Sequence, residues 1–252
     1  MTELAYLHEI SDAYVREFRA RVVALPPGGV VLDRTYFYPT GGGQPSDRGY
    51  LALDDGGRLD VVDVSKSGAS VVHRVRGPAS VVAKLAAGRE VGGTIDWERR
   101  HMHMRLHSAQ HLLSARVFAR TGRRTRKANL TGHRAVLDLD GAVGAEITGL
   151  LADDMASAVT TPRSVTVRHV PRAEWERNPA SARSGLVPLP AQVDPVRIVE
   201  IEGLDVCPCG GTHVRSTGEL GRVTLRPPIP LPDGASRLEF TLEPEATPGP
   251  PE

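Results

Sequence analysis

The feature that most limits the fold of this chain is a change of sequence pattern near Asp96. Residues 97–119 have apolar side chains at helical spacing and several alanines, so they predict one long helix. Residues 1–95 instead contain short alternating runs separated by glycine-rich turns. That pattern is typical of the strands of a small β-barrel, and VVLDRTYFYP at residues 30–39 is predicted to be one of them.

The chain beyond the long helix mixes strands with a second helix. Residues 144–159 predict that helix, and five segments predict strands: HRAVLDLDG, SVTVRHV, VRIVEIEG, GRVTLRP and SRLEFTLEP. The stretch between Trp175 and Pro195 contains four prolines and is predicted to be irregular.

The predicted fold class is therefore α+β with two domains. We expect a small β-barrel domain with a glycine-rich loop over residues 1–95. An α/β domain with an antiparallel sheet follows over residues 96–243, and the tail 244–252 is expected to be disordered.

Composition argues against a disulfide-linked, a secreted or a membrane-spanning protein. The formal net charge is only +1, so any nucleic-acid surface must be local. Cys207 and Cys209 lie one residue apart, which argues against a disulfide framework and favours a reducing compartment. The N-terminus does not resemble a signal peptide, and no run is apolar and long enough to span a membrane, so we expect a cytoplasmic protein.

Two short motifs carry residue types that bind metals. His107 and His111 lie four apart on the predicted helix, where residues with this spacing share one face. Cys209 and His213 enclose Gly210-Gly211-Thr212, and the glycines allow a tight turn. Three imidazoles and one thiolate form a complete tetrahedral donor set of the kind that Zn²⁺ favours.

These motifs also carry a family resemblance. R-x-H-S-A-Q-H-L-L around His107, followed far downstream by C-G-G-T-H at residues 209–213, resembles the editing domain of alanyl-tRNA synthetase and its free-standing relatives, the AlaX proteins. The segment FYPTGGGQPSDRG at residues 37–49 resembles the glycine-rich motif of the medium-length AlaX class. The editing domain of threonyl-tRNA synthetase is a more distant relative. The motifs occur in the family's order and together span residues 37–213.

The resemblance implies hydrolysis of the ester between a wrongly attached small amino acid, usually serine and sometimes glycine, and alanine tRNA. It implies that the second domain is the editing domain, with Zn²⁺ held by residues His107, His111, Cys209 and His213. The acceptor end of an aminoacyl-tRNA would be the partner, with no membrane and no nucleotide cofactor. Since no nucleotide-binding signature is visible, we expect deacylation without charging, and the sequence leaves the oligomeric state open.

Four protein ligands would fill a tetrahedral zinc site, whereas catalytic zinc usually keeps one position open. One ligand could be weak, the metal could expand its coordination, or zinc could position the substrate's amino group while a nearby water attacks. The sequence does not choose among these arrangements.

Three further residues are candidates around the metal. Thr40, on the glycine-rich loop, is expected to face the zinc and to hydrogen-bond a substrate hydroxyl, and Gln44 is expected to line the same pocket. His103 lies one helical turn before His107 and is a candidate hydrogen-bond partner of the ligands. His101 is expected to face solvent, and Cys207 does not match a family ligand position.

A cluster of cations follows the long helix and is the predicted tRNA-binding segment. Such a cluster can bind the phosphates along an acceptor stem. Arg99, Arg100 and Arg105 are expected to extend it. Its members are Arg120, Arg123, Arg124, Arg126 and Lys127.

Three other functions are compatible with the same motifs. A specialised deacylase would remove a threonine-like or halogenated β-hydroxy amino acid, since one extra methylene changes binding by only about 1–3 kcal/mol. A catalytically inactive, zinc-stabilised tRNA-binding module would bind mischarged tRNA without cleaving it. A small-molecule metallohydrolase on this scaffold would not need the basic segment.

Overall fold

The computed structural model of the chain describes residues 1–181 and 189–243. The tail predicted to be disordered, 244–252, lies outside the described residues, as does part of the proline-rich stretch. The chain divides into two compact units. The first comprises Met1–Met104 with Cys209–His213, and the second comprises Arg105–Pro208 with the chain from Val214 onward.

The first unit is built around a closed barrel of six strands whose neighbours are all antiparallel. Its strands and first α-helix are β1 (Glu3–Leu4), β2 (Glu17–Ala24), β3 (Gly29–Leu32), β4 (Arg34–Thr35), β5 (Gly49–Ala52), β6 (Arg58–Ser67), β7 (Ser70–Arg76), α1 (Ala79–Val82) and β8 (Glu90–Ile95). The barrel order is β2-β3-β7-β6-β5-β8, and β1 pairs with β4 beside it. This confirms the predicted β-barrel.

The barrel strands bury alternate apolar side chains, as their sequence pattern predicts. Along β6, for example, Leu59 and Val61 are buried, and Val64 is buried after a local shift of register. These side chains belong to one apolar core that also contains Val30, Leu32, Phe37, Leu51, Val71 and Val91.

The strand predicted over residues 30–39 is shorter in the structure and is interrupted at Asp33. The Asp33 carboxylate accepts hydrogen bonds from the backbone N–H groups of Arg21 and Arg34, both at 2.8 Å. These bonds turn the chain out of the barrel, and β4 pairs with β1 in parallel instead.

His73 is buried inside the barrel between two oxygen atoms. Its Nδ1 lies 3.0 Å from the carbonyl oxygen of Val30, which can only accept, so Nδ1 carries the proton. Its Nε2 then accepts a hydrogen bond from the Thr35 hydroxyl at 2.8 Å. Burial lowers the pKa of His73 from 6.5 to about 4, although its hydrogen bond to Val30 opposes part of this shift.

Acid is therefore expected to destabilise this unit before the carboxylates titrate. As the pH falls below 6.5, the His73 imidazole of the unfolded chain takes up a proton. In the folded state the same imidazole stays neutral until about pH 4. The folded state accordingly loses about 3 kcal/mol of stability as the pH falls from 6.5 to about 4, and above pH 6.5 this stability is fully present. Urea unfolding of the wild type and of His73→Gln at several pH values tests the expectation. The variant should show the smaller pH dependence, and two parallel curves would contradict it.

Helix α2 (Trp97–Thr121) confirms the predicted long helix. Its residues up to Met104 belong to the first unit, and those from Arg105 belong to the second. Neither proline nor glycine interrupts it, so it can run for 25 residues.

The described strands and α-helices after α2 are β9 (Thr125–Thr131), β10 (Arg134–Leu139), α3 (Ile147–Thr160), β11 (Val165–Val170), α4 (Arg172–Arg177), β12 (Val196–Ile201), β13 (Asp205–Pro208), β14 (Val223–Leu225), β15 (Ile229–Pro230) and β16 (Ser236–Leu242). In the described residues of the second unit these strands form two sheets. In the larger one the strand order is β14-β16-β10-β9 with β15 beside β16, and the smaller one has the order β11-β12-β13. All pairs are antiparallel, so the predicted α+β class with an antiparallel sheet is confirmed.

The prediction of an irregular stretch from Trp175 to Pro195 was wrong at its beginning, where α4 forms. Trp175 is buried in that helix and packs with Val170, Val196 and Ile198. This tertiary packing stabilises a helix of only six residues, which sequence periodicity alone cannot indicate. Among the described residues, no helix is long and apolar enough to cross a membrane.

Candidate metal centre

Helix α2 places His107 and His111 on one face. Their rings lie one turn apart, with centroids 5.1 Å from each other and planes inclined at 63°. Both residues are buried. The regular helix therefore produces the side-by-side imidazoles that the spacing predicts.

The segment after β13 carries the second pair. The backbone N–H of Gly211 donates a hydrogen bond to the Cys209 sulfur at 3.2 Å, so the chain curls around that sulfur. Nε2 of His213 lies 3.3 Å from the same sulfur. His213 is fully buried and Cys209 is half-buried.

One ligand atom from each of these four residues lies within 4.8 Å of all the others. Around a tetrahedral Zn²⁺ with ordinary bond lengths, N and S ligand atoms are about 3.5 Å apart, close to the Cys209–His213 distance. Three imidazoles and one thiol also match the ligand types that Zn²⁺ prefers. His107, His111, Cys209 and His213 thus form a group that could hold a metal ion.

An acid that sequence reasoning missed lies beside one of these histidines. Asp205, the first residue of β13, places Oδ2 3.1 Å from Nδ1 of His111. Both side chains are almost fully buried. Since 94 residues separate the two, no local motif could reveal the pair. The only sequence signal was an acid a few residues before a cysteine–histidine motif.

The glycine-rich loop follows β4, the short strand that pairs with β1. Gly42 and Gly43 both have positive φ, at 57° and 83°, so the loop needs glycine at these positions. Gln44 is fully buried, donates to the Thr212 hydroxyl at 2.8 Å and accepts from the backbone N–H of Thr212 at 3.4 Å. Gln44 therefore holds the segment between Cys209 and His213.

Thr40 is exposed on the same loop. Its backbone N–H donates to the carbonyl oxygen of Val64 at 3.0 Å, and its hydroxyl oxygen accepts from the N–H of Ser46 at 3.1 Å. These bonds fix the position of Thr40, while its hydroxyl proton is still able to donate. Its role in amino-acid discrimination stays a prediction.

The two other histidines of α2 are also buried. The prediction that His101 faces solvent was wrong, because its ring stacks on Trp97 at a centroid distance of 5.1 Å and is only 8% exposed. His103 is 1% exposed, and its place as a partner of the ligands stays a prediction.

The expected extension of the basic surface was wrong for two arginines. Arg100 is fully buried and pairs with Asp47. Arg105 is also buried, and its guanidinium donates to the carbonyl oxygens of Leu220 and Glu243. Arg99 is half-buried and donates to the carbonyl oxygen of Ser46.

The predicted tRNA-binding segment runs from the end of α2 into β9. Arg120 makes a two-bonded ion pair with Asp154 at 2.6 and 2.7 Å, and Arg126 pairs with Asp233 at 2.6 Å. Of the three other cations, two are exposed and one is half-buried: Arg123, Lys127 and Arg124. A contact between this segment and tRNA stays a prediction.

Two family models match the chain. The model described as tRNA synthetases class II (A) matches residues 6–99. The model described as threonyl and alanyl tRNA synthetase second additional domain matches residues 196–234, which include Cys209 and His213.

Curated relatives match almost the whole chain. The alanyl-tRNA editing protein AlaX-M of Methanosarcina acetivorans is 34% identical over 96% of this chain and 99% of its own length. AlaX-M of Saccharolobus solfataricus is 32% identical over 97% of this chain and 100% of its own length. The alanine–tRNA ligase of Pyrobaculum neutrophilum is 36% identical over 91% of this chain but only 26% of the ligase. On its end-to-end similarity to these editing proteins, the chain belongs to the AlaX-M family.

Proposed function

We propose that this protein is a trans-editing aminoacyl-tRNA deacylase that hydrolyses the ester of a mischarged small amino acid, by default serine or glycine on alanine tRNA. The observation that carries the proposal is the group formed by His107, His111, Cys209 and His213, in a chain aligned over 99% of an alanyl-tRNA editing protein. The match to alanine–tRNA ligases covers only about a quarter of those enzymes, so charging is not part of the proposal.

The proposed cofactor is Zn²⁺, held by these four residues. When bound, it supplies a Lewis acid close to the ester and can lower the pKa of a water molecule. The chain's own residues supply position and selection. Gln44 holds the ligand-bearing segment through its two hydrogen bonds to Thr212.

Within this proposal, Thr40 selects the amino acid. The oxygen of its hydroxyl is engaged with the N–H of Ser46, which leaves the proton to donate to the side-chain hydroxyl of a seryl group. An alanyl group offers no such acceptor, so this contact favours the seryl over the alanyl ester; a glycyl ester, which has no side chain, gains nothing from it. The exposed cations Arg123 and Lys127 are the proposed contacts with phosphates of the acceptor stem.

A panel of esters tests the proposed function. Seryl, glycyl and alanyl esters of alanine tRNA and the threonyl ester of threonine tRNA are incubated with the protein or with buffer alone. Seryl and glycyl esters are expected to disappear faster than in buffer, and the alanyl ester is not. Faster loss of the threonyl ester alone would favour the specialised deacylase. Binding of mischarged tRNA with no ester lost faster than in buffer would favour the inactive tRNA-binding module.

Replacement of Thr40 by valine is expected to erode the preference for the seryl ester over the alanyl ester. Valine keeps the shape of threonine but has no hydroxyl, so the substrate hydroxyl loses its partner. We expect the ratio of kcat/KM for the two esters to fall about tenfold or more. Thr40→Ser, which keeps the hydroxyl, is the matched control. An unchanged ratio in Thr40→Val would remove Thr40 from the binding pocket.

A further inference from the structure

The contact between His111 and Asp205 lies within the second unit and joins α2 to the start of β13. The His111 side chain is 6% exposed and the Asp205 side chain is 1% exposed. A buried carboxylate is costly unless hydrogen bonds satisfy it, so its position 3.1 Å from an imidazole nitrogen calls for a donor there.

The chemistry of this contact determines which nitrogen of His111 carries the proton. An ionised carboxylate can only accept, so Nδ1 of His111 must donate. In a neutral imidazole the lone pair is then on Nε2, at the other side of the ring. A metal ligand needs such a lone pair, and it must point in a fixed direction.

We propose that Asp205 is a positioning residue for the metal centre, which fixes the tautomer and orientation of His111 so that Nε2 faces the ion. The inference rests on the zinc site of the proposed function. By accepting the hydrogen bond from Nδ1–H, the carboxylate also increases the basicity of Nε2 and strengthens the bond to the metal. Gln44 plays the corresponding part for the segment that carries the other two ligands.

A second arrangement of the same residues is chemically less favourable. The ligand atoms of His111, Asp205 and Cys207 also lie within 4.8 Å of one another and could hold an ion of their own. His111 would then serve two ions, one through each nitrogen, and its neutral ring would have to lose its remaining proton. The hydrogen bond to Asp205 needs no such deprotonation.

Zinc affinity tests the proposal directly. Purified wild type, Asp205→Asn and Asp205→Ala are titrated against a chromophoric chelator, and the bound zinc is counted. We expect one zinc per wild-type chain and a dissociation constant about 10–100 times higher in Asp205→Ala. Asp205→Asn should lie between them, because its amide oxygen can accept the same bond without the charge. This variant also keeps the test decisive if Asp205→Ala does not fold.

The matched control is Asp138→Asn in the same unit. Asp138 is also a poorly exposed acid, but it pairs with Arg237 at 2.7 and 3.0 Å. Its replacement is expected to leave the zinc dissociation constant within about twofold, well below the change expected at Asp205. In zinc-loaded wild type, ¹⁵N NMR of labelled histidines should show His111 protonated at Nδ1, with the assignment made from a His111→Gln sample.

The outcomes separate this inference from the proposed function. If wild type binds zinc and both Asp205 variants bind it equally well, Asp205 is structural only and the inference is wrong. Two zinc ions in wild type and one in Asp205→Ala would make Asp205 a ligand of a second ion, which also overturns it. If wild type binds no zinc, the zinc cofactor of the proposed function is wrong, and the inference about Asp205 is wrong with it.

Discussion

Replacement of Asp47 by alanine is expected to lower the free energy of unfolding by about 3–5 kcal/mol. Both Asp47 and its partner Arg100 are fully buried. Removal of the carboxylate leaves a fully buried guanidinium without the charged partner that Asp47 provides, which is the costly way to break a buried pair.

The geometry explains why the loss should be near the upper end of that range. Nε of Arg100 lies 2.9 and 3.1 Å from the two carboxylate oxygens, and a second guanidinium nitrogen also contacts Asp47. Asp47 additionally accepts a hydrogen bond from the backbone N–H of Tyr38 at 2.6 Å and donates its own N–H to the carbonyl oxygen of Tyr38 at 3.0 Å. Asp47 thus closes the loop that contains Thr40 and Gln44.

Urea unfolding monitored by circular dichroism measures this effect. Asp54→Ala is the matched control, because Asp54 also pairs with an arginine of the first unit, Arg19, but both partners are about two-thirds exposed. An exposed pair contributes roughly 0–1 kcal/mol, so the control should change little. If Asp47→Ala unfolds at the same urea concentration as Asp54→Ala, the buried pair is not the anchor we infer.

Local sequence pattern predicted the long helix and the geometry within each short motif, because interactions between residues close in sequence determine both. The helix expected over 97–119 is α2, and the pair of histidines four apart lies on one of its faces, because helix geometry depends only on neighbouring residues. The C-G-G-T-H motif likewise brings its two candidate ligand atoms, the Cys209 sulfur and Nε2 of His213, to 3.3 Å from each other. Association of the two motifs in one group rested on donor chemistry and family resemblance rather than on any local rule.

Pairs that are distant in sequence could not be predicted in this way. Asp205 and His111 are 94 residues apart, and Asp47 and Arg100 are 53 apart. Arg100 was expected on a basic surface, since charge in a sequence does not reveal a buried partner. His101 was expected in solvent for the same reason, because only the structure shows Trp97 stacked against it.

Removal of two ligands at once is expected to have the largest effect on activity. In Cys209→Ala/His213→Ala, only the imidazoles of α2 are left from the four-residue group. Two neutral ligands bind Zn²⁺ far more weakly than the complete set with its thiolate. We therefore expect ester hydrolysis at the rate seen in buffer, and less than one zinc per chain by elemental analysis. Circular dichroism checks that the variant is folded, and Cys209→Ser provides a milder variant.

The matched control removes one cysteine and one histidine elsewhere. Cys207→Ala/His133→Ala deletes the other thiol and an exposed imidazole on the turn between β9 and β10. This control should keep its zinc and its rate. Loss of the rate in Cys209→Ala/His213→Ala, purified in the same way, excludes a contaminating deacylase as the source of activity. Full activity in Cys209→Ala/His213→Ala would mean that hydrolysis does not depend on the group. A parallel loss in both double variants would show only a general sensitivity to substitution. The four residues are the reaction centre only if zinc and rate are lost together in the first variant and retained in the second.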